Sequence, residues 1–224
     1  MSKKRSEKMG FQRARGEEQK AERIREIMEA TIAIYETEGY DGVTFSKICK
    51  GLSFSRINMY NYFKCKEDIF LLILLEDIRI MVEDADRTFP QAEENPDIFV
   101  DKWCEMLLRQ KRLLSLFSVL NTIILRGASD DAHREFRERM YQNYKVLHSI
   151  VNRALPQLTE DMAMKFVEYE NSYAMTIFPA SIEYKQAQGI SIFPKVGYGT
   201  GEFIPQVKPF IYCILRGLLA ESQQ

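Results

Sequence analysis

The stretch Thr44–Phe63, TFSKICKGLSFSRINMYNYF, has the pattern of two short helices joined by a tight turn. Thr44 suits a helix N-cap, because its hydroxyl can accept a hydrogen bond from a backbone N–H two or three residues later. Gly51-Leu52-Ser53-Phe54 then interrupts the helical spacing with turn-type residues. Ser55 is a second N-cap candidate, so the stretch predicts a helix–turn–helix whose second helix begins after Ser55.

The second helix is predicted to have two different faces. Its inward face holds Ile57, Met59, Tyr60 and Phe63. Its outward face holds Ser55, Arg56, Asn58, Asn61 and Tyr62. Such polar side chains donate to phosphates and base edges, so the outward face suits a DNA groove. Two short helices with a polar outer face also occur in other all-α proteins, so the flanking sequence has to support this interpretation.

From Arg23 to Phe70 the chain resembles the N-terminal domain of the TetR family of bacterial transcription regulators. The matching features are a first helix ending at Gly39-Tyr40, Thr44 opening helix two, the run Met59–Phe63 in helix three, and Lys66-Glu67 opening helix four. The departures are Leu52-Ser53 in place of the family's usual Ala-Gly, Ile57 in place of a small residue, and Cys65 in place of Ser or Asn. These departures bear on the geometry of the turn and on base preference.

The resemblance implies an all-α fold of about nine helices. A three-helix helix–turn–helix DNA-binding domain precedes a larger helical domain for effector binding and dimerisation. The predicted divisions are a flexible basic arm at 1–19, the DNA-binding domain at 20–66 and the effector-binding and dimerisation domain at 67–224. Family members form homodimers, which implies an interface through the helices near 160–188 and 206–222. Two DNA-binding domains about one helical turn of DNA apart, roughly 34–36 Å, suit a palindromic operator. The alternative, that these apolar faces only close the monomer core, stays open.

The resemblance also assigns candidate DNA contacts. Those expected at the phosphate backbone are Thr44, Lys47, Tyr60, Tyr62 and Lys66. Those expected at base edges are Ser55, Arg56, Asn58 and Asn61. Arginine suits guanine and asparagine suits adenine. Each of these side chains could instead belong to a solvated helix face, and Tyr60 could belong to the core.

The charge distribution supports a DNA-binding N-terminal part. Residues 1–66 hold 14 lysines and arginines against 9 aspartates and glutamates, whereas the whole chain has a net charge of −1. A basic part on an acidic body is typical of a DNA-reading domain attached to one that does not bind DNA. The basic segment 1–19 is interpreted either as an arm that touches phosphates or the minor groove, or as a solubilising leader.

The remainder of the chain has helical periodicity almost throughout. The predicted helices are Ala21–Glu38, Lys66–Phe89, Asp97–Gln110, Leu113–Leu125, Asp130–Leu155, a helix from Thr159 to about Gln188 that Pro179 should kink, and Gln206–Ser222. An apolar connector of unassigned role fills 189–205. Aromatic residues with a few polar partners suggest an effector pocket made of Trp103, Phe117, Asn121, Tyr144, His148, Tyr173 and Phe178. Each of these could equally be an ordinary core residue.

Several other classes of protein are disfavoured. The four scattered cysteines and the charged N-terminus predict a soluble, cytoplasmic protein with reduced thiols. Charged residues interrupt the apolar stretches short of the roughly 18 residues of a membrane span. With two histidines, no phosphate-binding glycine loop and no metal motif, we expect no enzyme, cofactor or metal. The remaining alternative is an all-α adaptor that binds proteins through its amphipathic helices.

Overall fold

The structure, a computed structural model, describes residues 2–52, 55–93, 95–186 and 202–221, with side chains from Gly16 onward except at 182–186. The helices are α1 (Ser2–Gly42), α2 (Phe45–Gly51), α3 (Arg56–Met59), α4 (Lys66–Thr88), α5 (Pro96–Arg109), α6 (Lys111–Val119), α7 (Leu125–Gly127), α8 (Asp130–Ala154), α9 (Glu160–Gln186) and α10 (Phe203–Glu221). A π-helical turn, Leu120–Ile124, joins α6 to α7. If α6, the π-helical turn and α7 are counted as one continuous helix, the described residues contain nine helices and no strand. The predicted all-α fold is confirmed.

The chain folds into two compact units. The N-terminal unit contains Met1–Ile73 and Gly127–His133, and the C-terminal unit contains Leu74–Arg126 and Arg134–Gln224. The sequence did not indicate that a segment as distant as Gly127–His133 belongs to the N-terminal unit. The predicted divisions at residues 19 and 66 stay predictions.

Helix α1 begins at Ser2 rather than near Ala21, so the segment expected to be a flexible arm is helical in the structure from residue 2 onward. Gly39 interrupts the regular helix with φ 72° and ψ −175°, a conformation that favours glycine. This agrees with the predicted end of the helix. Ile27 and Thr31 are fully buried in the N-terminal unit, and the Thr31 hydroxyl donates to the Ile27 carbonyl at 2.7 Å.

Aromatic side chains from α5 and α9 fill the core of the C-terminal unit. Phe99 and Trp103 stack with ring centroids 5.4 Å apart, and Phe166 meets Trp103 edge-on at 5.2 Å. All three residues are fully buried. Helix α9 also packs against α6 and α10, so it is covered from several sides.

Helix α9 starts after the N-cap Thr159 as predicted, but its buried face differs from the one that helical spacing in the sequence indicates. Regular spacing aligns Met162, Phe166, Tyr169, Tyr173 and Ile177 on one face, yet only Phe166 of these is buried, and Tyr169 is 47% exposed. The buried residues are Ala163, Phe166, Val167, Glu170, Asn171, Ala174, Phe178 and Ser181. A helix packed between neighbours buries a wider face than one stripe, and its alanines allow close approach. The buried face therefore includes a charged residue, Glu170.

Helix α10 is longer and more apolar than we expected from the sequence. It is the one helix in the described chain that is long and apolar enough to cross a membrane, with a mean hydropathy of 1.2. In the structure α10 packs against α5 and α9. Its buried residues are Phe203, Val207, Ile211, Leu215 and Leu218, the spacing of one helical stripe. Half-buried and exposed positions, including Lys208 and Arg216, occupy its other sides, as in a helix that lies at the edge of a core. Of the connector 189–205, only residues 202–205 lie within the described chain.

Candidate nucleic-acid interface

Two side-chain caps define the helix–turn–helix. The Thr44 hydroxyl accepts the backbone N–H of Lys47 at 3.3 Å, and the Ser55 hydroxyl accepts that of Asn58 at 3.3 Å. Both caps were predicted from the sequence. Because its hydroxyl holds the start of α3, Ser55 has a local structural role beside its predicted base contact. Ser53 and Phe54 of the predicted turn lie outside the described residues.

Helix α3 is shorter than predicted and exposes a different face. Its four residues are followed by a turn, in which Phe63 N–H donates to the Met59 carbonyl at 3.1 Å. Met59 and Phe63 are buried as predicted, but Ile57 is 78% exposed and Tyr60 is 53% exposed. The predicted inward position of these two residues is wrong, because so short a helix has only a narrow buried side. Ile57 thus joins Arg56 and Asn58 on the exposed face of α3.

An exposed isoleucine among polar residues is suited to contact a thymine methyl group. We predict that Ile57→Ala weakens binding to a selected DNA site by up to about 50-fold, because the substitution removes three carbon atoms and each contributes about 0.8 kcal/mol when buried. The salt dependence should not change, since no cation is removed. Fluorescence anisotropy at several salt concentrations measures both. Ile98→Ala, at an exposed position of α5, is the control, and equal affinities of the two variants would contradict the assignment.

The side chains predicted to contact phosphate already make contacts within the protein, and these contacts differ from one residue to the next. The Lys47 ammonium pairs with the Glu38 carboxylate on the protein surface. Lys66 donates to the Tyr40 carbonyl at 3.1 Å and lies 4.0 Å from the centre of the Tyr40 ring. Tyr60 packs edge-on against Phe45, with ring centroids 5.3 Å apart. Lys66 therefore stabilises the N-terminal unit in this structure, and its contact with DNA stays a prediction.

Two carboxylates, Glu67 and Asp68, occupy the first turn of α4, where a phosphate contact was expected. Glu67 accepts the Tyr40 hydroxyl at 2.6 Å. Burial and this carboxylate raise the pKa of Tyr40, so its hydroxyl remains a donor. The acids already compensate the positive end of the helix dipole, which makes this helix start a weaker phosphate site than the sequence suggested.

Asn61 and Tyr62 border an open cleft of about 620 Å³ beside α1. The other lining residues are Gly16, Gln19, Lys20, Glu22, Arg23 and Glu26. This arrangement brings two predicted DNA contacts next to side chains of α1. Contact between this part of α1 and DNA stays a prediction.

The segment before α8 is bound to the start of α4 inside the N-terminal unit. The Asp68 carboxylate accepts the Ser129 N–H at 2.8 Å, the Ser129 hydroxyl at 3.1 Å and the Lys64 N–H at 3.1 Å. The Cys65 thiol donates to the Gly127 carbonyl at 3.2 Å. A Cβ at Gly127 would lie 2.7 Å from the Glu67 side chain, so a larger residue there would require that side chain to shift. No short-range sequence pattern indicated these contacts.

We predict that Asp68→Ala lowers the free energy of unfolding by about 2–3 kcal/mol, because the buried carboxylate leaves three donors without their acceptor. Urea unfolding followed by circular dichroism measures the change. Asp161→Ala removes a carboxylate from the exposed pair with Lys165 and should cost less than about 0.5 kcal/mol. Equal losses in the two variants would show that the Asp68 contacts do not stabilise the unit.

The residues predicted to line an effector pocket make different contacts in the structure, and their role in binding an effector stays a prediction. Trp103 is part of the aromatic core, Tyr173 stacks on Phe210 at 3.8 Å, and Phe178 meets Phe203 edge-on at 5.3 Å. Asn121 is exposed in the π-helical turn, and Phe117 is buried.

Tyr144 and His148 lie near each other on α8, with ring centroids 6.2 Å apart. The Tyr144 hydroxyl accepts the side-chain amide of Asn171 at 3.3 Å. Burial lowers the pKa of His148. Glu170, which was not predicted as a site residue from the sequence, lies beside Tyr144 and the Trp103 indole. Its spacing between Phe166 and Ala174 on one helix face was the available signal. Among the described residues, no three acidic, histidine or cysteine side chains are grouped to hold a metal.

These elements define a helical protein with a capped helix–turn–helix and a larger, aromatic-rich helical body, the architecture of a DNA-binding transcription regulator. Residues 27–73 match the family model of the TetR family of bacterial regulatory proteins, and residues 75–222 match that of a tetracycline repressor-like C-terminal domain. The chain belongs to the TetR family and is a DNA-binding transcription regulator with a C-terminal ligand-binding domain. The resemblance stated from the sequence is confirmed.

Solved structures support the same fold. A TetR-family regulator from Mesorhizobium loti is 16% identical with a TM-score of 0.58, over 90% of this chain and 96% of that chain. FadR of Thermus thermophilus, a TetR-family repressor solved with lauroyl-CoA, is 17% identical with a TM-score of 0.57, over 90% and 95%. FadR of Bacillus halodurans, a fatty acid degradation regulator, is 16% identical with a TM-score of 0.52, over 87% and 95%. No curated protein matches the sequence.

Proposed function

We propose that this regulator is a cytoplasmic repressor that binds a palindromic operator as a homodimer and is released by a small-molecule effector. The observation that carries the proposal is the exposed face of α3, where Arg56, Ile57 and Asn58 stand beside one another after the Ser55 cap. A short rigid helix with these groups can enter a major groove and distinguish base pairs. The basic composition of residues 1–66 supplies attraction to phosphate.

Exposed apolar side chains on α9 support the proposed dimer. Met164 is 50% exposed and Tyr169 is 47% exposed. Exposed apolar groups on a helix of the predicted interface are what a second copy would bury. A symmetric dimer would present two copies of α3 to two half-sites.

We predict that Met164→Glu with Tyr169→Glu makes the protein monomeric, because the charges would have to be buried against the same surface of the partner. Analytical ultracentrifugation measures the mass. Operator affinity should fall at least 100-fold, since one half-site contact is lost. Tyr141→Glu, at a position of α8 that is 60% exposed, is the control and should leave the mass unchanged. A wild-type protein that is already monomeric would contradict the dimer.

The effector is proposed to have a substantial apolar part. Aromatic side chains dominate the interior of the C-terminal unit, and apolar walls with a few polar groups favour such ligands. The lauroyl-CoA complex of the Thermus thermophilus repressor supports this proposal by analogy of fold. An effector releases DNA only if it binds the released conformation more tightly than the DNA-bound one.

Selection of bound fragments from sheared source-genome DNA tests the proposed function. We expect recovery of a palindromic site whose affinity falls steeply with salt. Recovery of unselective DNA, or of none, from the ligand-free protein would overturn operator binding and favour the protein-binding adaptor.

A further inference from the structure

Glu170 lies in the interior of the C-terminal unit without a partner for its charge. The residue is 0% exposed, and within the described chain neither carboxylate oxygen accepts a hydrogen bond. Burial raises the pKa of this carboxyl to about 8. A buried ionisable group is ordinarily paired or hydrogen-bonded, because an unpaired one is costly to keep out of water.

A second unsatisfied group from another helix lies beside it. The Trp103 indole of α5 is near enough to Glu170 to lower the pKa of the carboxyl slightly. Even so, the indole Nε1 has no hydrogen-bond partner of acceptable geometry among the described residues. An unused acceptor and an unused donor thus meet among aromatic rings, with Phe166 edge-on to Trp103 at 5.2 Å.

The half-buried His148 next to Tyr144 is neutral near pH 7, because burial lowers its pKa, and the titratable groups that Glu170 influences are not cations. Burial, together with the charge of Glu170, raises the pKa of Cys104 on α5 to about 12 and also raises the pKa of Tyr144 on α8. Both groups therefore stay neutral near pH 7. On α10, Lys208 influences Cys104 and pairs with Asp101. Once Glu170 ionises, the site combines a negative charge with a π-system that favours cations.

We propose that the C-terminal unit binds a hydrophobic organic cation, an alkyl- or arylammonium whose nitrogen pairs with Glu170 against the Trp103 indole. This inference rests on the proposed function, because it names the chemical class of the effector. An ammonium group supplies the donors that the carboxylate lacks, and its apolar remainder suits the surrounding aromatic side chains. A carboxylate ligand would instead disfavour ionisation of Glu170 and would find no cation beside it. The side chains are closed around Glu170 in this structure, so the cation selects a conformation in which α5 and α9 separate locally.

Trp103 is the only tryptophan in the chain, so its fluorescence reports on this site directly. The full-length protein is titrated at pH 7.5 with decylammonium, and in parallel with decanoate and decanol, which have the same chain length. The variants are Glu170→Gln and, as the matched control, Glu168→Gln at an exposed position of the same helix. The selected operator fragment is monitored by anisotropy in the same solutions.

We expect decylammonium to bind the wild type and Glu168→Gln at least tenfold more tightly than Glu170→Gln. Decanol should bind all three proteins alike, and decanoate should bind the wild type least well. Affinity for decylammonium should rise with pH up to about pH 8, following ionisation of Glu170. The inference would be overturned if the wild type and Glu170→Gln bound decylammonium with equal affinity. It would also be overturned if the wild type bound decanoate more tightly than decylammonium.

The two proposals fail in different ways. If the protein selects no operator but its fluorescence responds to decylammonium through Glu170, the cation site stands and the repressor function fails. If the operator is selected but decylammonium neither binds through Glu170 nor releases DNA, the repressor function stands and the cation effector is wrong.

Discussion

The double variant Arg56→Ala with Asn58→Ala is expected to lose roughly 30- to 10,000-fold in affinity for the selected operator. Each good contact of arginine with guanine, or of asparagine with adenine, contributes about 1–3 kcal/mol of discrimination. Both side chains are exposed on α3, so the variant should melt within about 2 °C of the wild type. Anisotropy titrations against the operator and against a scrambled fragment measure the loss and its sequence selectivity.

Two controls separate base recognition from a general loss of charge. Arg87→Ala removes one cation from an arginine that is 71% exposed on α4 and should leave operator affinity unchanged. Lys47→Ala should weaken operator and scrambled DNA by similar factors and lower the slope against salt by about 0.9. If the α3 variant weakened both DNAs equally, α3 would serve phosphate attraction rather than sequence recognition.

Lys47 shows why the phosphate contacts are harder to assign than the base contacts. In the free protein its ammonium pairs with Glu38, so DNA has to replace one ion pair by another. The net gain from Lys47 is therefore smaller than a count of cations suggests. Lys66 is engaged by the Tyr40 ring and carbonyl, and its removal would disturb the fold as well as the charge. Exposed side chains of α3 give the cleaner test.

Features that depend on a few neighbouring residues could be predicted from the sequence. The Thr44 and Ser55 caps each join residues three apart, and the break at Gly39 depends on that residue's own backbone angles. The helix start at Lys66 was predicted from the family resemblance, since the preceding Cys65 is a weak N-cap. Such signals were sufficient for the helix–turn–helix and for the family.

Features that depend on which elements become neighbours could not be predicted. The outward position of Ile57 follows from the shortness of α3, which the regular spacing of Met59, Tyr60 and Phe63 did not reveal. The contacts between Asp68 and Ser129 join residues 61 apart in sequence. The wide buried face of α9 follows from packing on several sides, and a single helical stripe cannot show it.

The contacts of the segment before α8 suggest where a change in the body could reach the DNA-binding unit. Gly127 and Ser129 lie between α6 and α8 in the chain and are held to the first turn of α4 by Cys65 and Asp68. Residues on both sides of this segment belong to the C-terminal unit. A shift of α6 or α8 would therefore be transmitted along the chain to hydrogen bonds at the start of α4.

The free energy of unfolding is expected to depend strongly on pH because of Glu170. The carboxyl of Glu170 has a pKa of about 8 in the folded protein, because burial disfavours its charge, against about 4.3 when unfolded. Between these values the folded protein binds the proton and the unfolded protein does not, so stability must fall as pH rises from about 4.3 to 8. The fall attributable to Glu170 should approach 5 kcal/mol as an upper bound, at about 1.4 kcal/mol per pKa unit.

Glu170→Gln should abolish this fall, because glutamine has no charge to bury. The half-buried His148, whose pKa is lowered by burial, acts in the opposite direction and destabilises the protein as pH drops below about 6.5. The difference between wild type and Glu170→Gln therefore isolates the carboxyl. Urea unfolding at pH 5, 6.5 and 8, followed by Trp103 fluorescence, measures it, with Glu168→Gln as the exposed control. Parallel pH profiles for wild type and Glu170→Gln would mean that the carboxyl finds a partner in solution. Diverging profiles would show that the folded core disfavours the ionised carboxyl of Glu170. A cation that pairs with this carboxyl would then stabilise its ionised form and the folded protein.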